Sequence, residues 1–204
     1  MKAKFRFAQA NRFIATLLIL VVILSGIQPV KVVKADASQP LTQNPQWKIL
    51  VLIYTSTDFT YSDASGQHRV LANMTQSEID RAVNASHQFV ESDIPALTSG
   101  YMVPLLTIRY PNHALTGLDP FCGYWPDRLH TSADLDPSFD SVIVIWDDSG
   151  TDINTGQSAD LQGCGGLTVS NDTGQTYSTF PVDSVKSNER NVFKHEWGHS
   201  ILFY

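Results

Sequence analysis

Residues 47–54, Trp-Lys-Ile-Leu-Val-Leu-Ile-Tyr, form a near-continuous apolar run that is partly β-branched. A strand with one face in water alternates apolar and polar residues. A run without alternation reads as a strand covered on both faces. Ser141-Val142-Ile143-Val144-Ile145-Trp146 has the same character. These two segments point to a sheet whose central strands are buried on both sides.

The intervening chain supplies what such a sheet needs. A polar loop with Asp58, Asp63, Ser65 and Gly66 is followed by Thr75-Gln76-Ser77-Glu78, a capping-box pattern that starts a helix. Ile79, Ala82, Val83, Ser86, Phe89 and Val90 recur at helical spacing, and Pro95 and Gly100 mark where that helix bends or ends. Residues 103–110 read as a second strand, and residues 111–139 as an irregular excursion rich in Pro, Gly and Asp. Asp147-Asp148-Ser149-Gly150-Thr151-Asp152 reads as an acidic turn; it lacks the spacing and the terminal Glu of an EF-hand calcium loop. Leu167-Thr168-Val169-Ser170 is a short, polar-flanked segment suited to a sheet edge, and residues 175–180 supply one more strand. The expected class is α+β: a twisted mixed β-sheet with a helix after the first strand and a C-terminal helix.

The start of the chain is not expected to join that fold. Lys2, Lys4, Arg6 and Arg12 precede an apolar run from Phe13 to Ile27, and small residues follow at Ala35 and Ala37. This is the pattern of a secretory signal over residues 1–35, with cleavage after Ala35 or Ala37. An uncleaved N-terminal anchor is the alternative. A short linker, 36–46, then precedes a domain over 47–204. Residues 1–35 hold six of the 14 Lys and Arg residues and none of the 20 acids, so the mature chain carries a net charge of −12. No basic footprint remains for nucleic acid, and no stable membrane association is expected after signal cleavage. Cys122 and Cys164 are the only cysteines, an even count in an exported chain, so a disulfide is expected between them.

The last ten residues carry the chemistry. His195-Glu196-Trp197-Gly198-His199 places two imidazoles about one helical turn apart on one face, about 6 Å along the axis, where both can reach one metal ion. Phe193, Trp197, Ile201 and Tyr204 make an apolar stripe for burial, with His195, Glu196 and His199 off it on a face able to line a cleft. Ser187 or Asn188 can cap the helix start. Gly198 leaves room for something to approach beside His199.

The His-Glu-x-x-His motif and the order of elements resemble the N-terminal half of zincin metallopeptidases. That family places the motif helix beneath a twisted sheet whose edge strand pairs with substrate. The resemblance implies Zn²⁺ as cofactor, His195 and His199 as two of its ligands, and Glu196 as general base towards a metal-activated water. It implies secreted endopeptidase activity on a protein or peptide substrate. Gly166, Leu167, Thr168 and Val169 would present backbone to an extended peptide, although a Gly-rich turn stapled by Cys164 explains the same residues. Residues 121–127 also resemble the cysteine switch of matrix metalloproteinases, but they lie between core strands rather than in a propeptide. Metzincins continue the motif with a glycine where this chain has Leu202, so the branch stays open. Of the other histidines, His68, His87, His113 and His130, none sits in a pattern that marks it as the third ligand. The expectation is therefore a catalytic subdomain truncated after its active-site helix and weakly active or inactive alone. Two rivals stand beside it: a secreted binding module without catalysis, and a metal-dependent hydrolase of a non-peptide bond.

Overall fold

The computed structural model describes residues 44–120, 123–161, 167–169, 174–185 and 191–202, all within the unit Gln43–Tyr204. In chain order the strands and helices are β1 (Gln46–Tyr54), β2 (Ser56–Asp63), β3 (Gly66–Asn73), α1 (Gln76–Gln88), α2 (Ile94–Leu97), β4 (Val103–Arg109), β5 (Ser141–Trp146), β6 (Ser149–Asp152), β7 (Gln157–Asp160), β8 (Leu167–Val169), β9 (Thr176–Pro181) and α3 (Asn191–Leu202). A π-helical turn, Phe89–Asp93, joins α1 to α2, and a 3-10 turn, Val182–Ser184, follows β9. The class is α+β.

The larger sheet has the order β4-β1-β5-β9-β8. Its first four strands are parallel, and β8 pairs antiparallel with β9 at the edge. The unbroken apolar run of β1 now has its reason. Ile49, Val51 and Ile53 point into one core with α1, the π turn and α3; Leu50, Leu52 and Tyr54 point into a second core on the other face. Both faces are covered, so neither set of alternating positions is polar. β9 is also wholly buried although four of its six residues carry hydroxyls. Its first hydroxyl joins a chain: Trp47 Nε1 donates to Ser141 Oγ at 2.7 Å, and Ser141 Oγ lies 2.6 Å from Thr176 Oγ1. Partnered hydroxyls can be buried without leaving an orphaned dipole.

The second core is closed by a separate antiparallel sheet, β2-β3-β6-β7, together with Leu115, Leu118 and Leu161. Here the sequence expectation needs correcting. Residues 56–66 are no loop, and residues 149–152 are no mere turn: each begins a hairpin. The helix after β1 consequently follows an intervening hairpin. These strands escaped notice because their tips are polar on both faces, with only Thr57, Phe59, Val70 and Ala72 buried in the first hairpin. Gly150 marks a close approach between the two hairpins. A Cβ there would stand 2.4 Å from Leu71 O, so only glycine lets β6 approach β3.

The helix before β4 is built as its sequence signals ask. Thr75 Oγ1 accepts from Glu78 N at 3.3 Å, and Glu78 Oε2 accepts from Thr75 N at 2.7 Å, closing the capping box. Pro95 sits in the first turn of α2, and Gly100, at φ 74°, donates its N–H to Pro95 O at 2.7 Å to end the helical run. Among the described residues no helix is long and apolar enough to cross a membrane.

Candidate metal centre on the C-terminal helix

α3 is held by aromatic packing. Phe193, 1 % exposed, lies between Phe89 at 5.2 Å and Phe180 at 4.7 Å, and Trp197 meets Phe89 edge-on at 6.2 Å. Positions 193 and 197 are one turn apart, so both point to the sheet side, where α3 packs against β8, β9 and the π turn. Lys194 Nζ, 3.5 Å from Asp93 Oδ1, adds a link to that turn. The side chains of Ile201 and Tyr204, the expected continuation of the stripe, and the capping candidates Ser187 and Asn188 lie outside the described residues.

Fixing that face sets the other. His195 and His199 are exposed, with ring planes at 83° and their Nε2 atoms 3.1 Å apart. Two nitrogens bound to one tetrahedral zinc at about 2.0–2.1 Å would be about 3.3 Å apart. The observed separation is close to that spacing, and without an ion it is that of a hydrogen bond between the two rings. A Cβ added at Gly198 would meet no described atom within 4 Å, which leaves the helix surface beside His199 approachable. Glu196 differs from expectation. It is 7 % exposed, because position 196 flanks the packed stripe, and its Oε1 lies 3.9 Å from His195 Nε2. The carboxylate is thus at the buried rim of the histidine pair.

A third ligand is not among the described residues, where no group of three or more His, Cys, Asp or Glu side chains gathers around one point. The four remaining histidines are engaged with carboxylates elsewhere: His68 with Asp63 and Asp152, His87 with Glu91, His113 with Asp134, and His130 with Asp127. Leu167, Thr168 and Val169 do form the edge strand, in register with Thr179, Ser178 and Tyr177. Gly166, Cys122 and Cys164 lie outside the described residues.

Two arrangements were not legible in the sequence. Asp147 and Asp148, between β5 and β6, are 5 % and 2 % exposed. Burial is the first cause that pushes their carboxyls up, to about 6 and about 7, and neighbouring acids add to it. The other is on the hairpins. Ser65 Oγ lies 2.8 Å from His68 Nε2, and His68 Nδ1 lies 2.8 Å from Asp152 Oδ2, the spacing of a nucleophilic triad. Proton bookkeeping argues otherwise. Ser65 has one hydroxyl proton, and its closest acceptor is Asp63 Oδ1 at 2.6 Å. His68 then faces acceptors at both nitrogens and is fully bonded only as the imidazolium, which takes no proton from a serine.

Compared with protein-family models, curated proteins and solved structures, the chain matches none.

Proposed function

We propose that this chain carries the metal-binding and proton-transferring part of an exported zinc peptidase of the zincin type. The observation that carries the reading is the 3.1 Å separation of His195 and His199 Nε2 on the exposed side of a helix that packs by its other side. The topology supports it: four parallel strands with one antiparallel edge strand, β8, which packs against the same helix. Zn²⁺, when bound, supplies Lewis acidity, polarising a carbonyl and lowering the pKa of water.

The chain's own residues supply the rest. His195 and His199 present neutral Nε2 lone pairs, held one turn apart by the helix. The Glu196 carboxylate, beside His195 Nε2, accepts a proton from the attacking water at Oε1 and returns it to the leaving amine. The outer edge of β8 offers backbone N–H and C=O groups to an extended peptide, which can bind there as an added strand.

A broad peptide-library digest with the product of the intact gene tests this reading. Cleavage should be stopped by chelator and restored by zinc, and Glu196→Ala should abolish it while zinc stays bound. Cleavage that persists in chelator contradicts the proposal. A silent Glu196→Ala in a metal-free protein favours a binding module instead.

A further inference from the structure

The hairpin site that resembles a triad carries a separate inference. His68 lies on β3 opposite Tyr61 of β2, with its ring stacked on that tyrosine at 4.9 Å and its side chain 14 % exposed. Nε2 reaches the end of the first hairpin, 3.1 Å from Asp63 Oδ1 and 2.8 Å from Ser65 Oγ. Nδ1 reaches the second hairpin, 2.8 Å from Asp152 Oδ2. Asp152 is itself fixed, accepting from Asn154 N at 3.0 Å and Thr155 Oγ1 at 2.9 Å. One imidazole therefore adds a side-chain tie between the two hairpins. The register between β3 and β6 is only two pairs long, Val70 with Asp152 and Leu71 with Thr151. Ile153 N to Arg69 O at 2.9 Å and Asn154 Nδ2 to Gln67 O at 2.8 Å cross the same seam, where the Asp152 carboxylate also bonds the Arg69 backbone and Gly150 packs on Leu71.

We propose that His68 is a proton-operated latch: as the imidazolium it donates to the β2–β3 and β6–β7 hairpins at once, and on losing its proton it keeps a single N–H and loosens the tie between them.

The charges around the ring set the sign. Asp63 and Tyr61 face it from the first hairpin and Asp152 from the second, while Arg69, next along β3, is turned to Asp58. No described cation opposes the ring, and two carboxylates favour its charged form. Hydrogen bonding to Asp152 first, and then to Asp63, raises the His68 pKa above its ordinary 6.5. A raised value means that the latch is fully closed below the unfolded histidine's pKa and is lost as pH climbs through the folded one. Its lower limit is set by the partners, since Asp63 and Asp152 are both held down to about 2.

Imidazole ¹⁵N NMR together with backbone hydrogen exchange tests this on the full chain. His68 should titrate above 6.5 with both nitrogens protonated on the acid side. After correction for intrinsic chemistry, the amides of Ser149–Asp160 should exchange faster above that midpoint. The gain should be about tenfold for each pH unit by which the midpoint exceeds 6.5. His68→Gln should remove the pH dependence, and Asp63→Asn, a milder change at the exposed end, should reduce it. A midpoint at or below 6.5 overturns the latch. So does a pH dependence that survives in His68→Gln, or protection that follows added zinc rather than protons.

Discussion

Asp148 is almost wholly buried, and its Oδ1 has no hydrogen-bond partner among the described residues. Burial, followed by the charges of Asp160, Asp183 and Asp147, pushes its carboxyl up to about 7. An unfolded aspartate ionises near 3.8. Between those values the folded chain holds a proton that the unfolded chain has lost, so stability falls as pH rises from about 4 to about 7. Asp147, raised to about 6, adds to the same slope. Asp148→Asn should be more stable than the parent at pH 8, by about 1–2 kcal/mol after allowance for solvent screening. The gap should close towards pH 4. Urea denaturation at both pH values checks this, and a gap that ignores pH would contradict it. At this scale the sequence is uneven. The His195–His199 pair was legible because helical spacing alone brings the two rings together, whereas the burial of Glu196 was not. Asp148 and His68 were not, because their environments are made by strands distant in sequence: Leu161 N donates to Asp148 O, and Asp152 lies 84 positions beyond His68.

The elements divide in a similar way. Strands buried on both faces announced themselves, and so did the helix begun by Thr75, since each signal is contained in a few adjacent residues. The two hairpins did not. Their polar tips match loop composition, and their register comes from cross-strand partners that a single segment does not display. For α3, the decisive element, the aromatic contacts permit a direct test. Phe193→Ala removes a side chain packed between Phe89 and Phe180 and should cost about 3–5 kcal/mol. Lys194→Ala, which breaks only a partly exposed ion pair with Asp93, should cost at most about 1 kcal/mol. Equal losses in chemical denaturation would mean that the helix is not held by its aromatic stripe.

Across the described domain, two sheets enclose one core, and helices α1 and α3 with the π turn close the other face of the parallel sheet. That second layer is what orients the C-terminal helix: its apolar positions are taken up by the core, which leaves His195 and His199 facing outward with their Nε2 atoms converging. The proposed chemistry depends on whether that convergence captures an ion. Elemental mass spectrometry of the purified product of the intact gene is the most direct measurement. Stoichiometric zinc in the parent, lost when His195 and His199 are both changed to alanine, is the result expected here. A folded parent protein without stoichiometric transition metal would contradict the account.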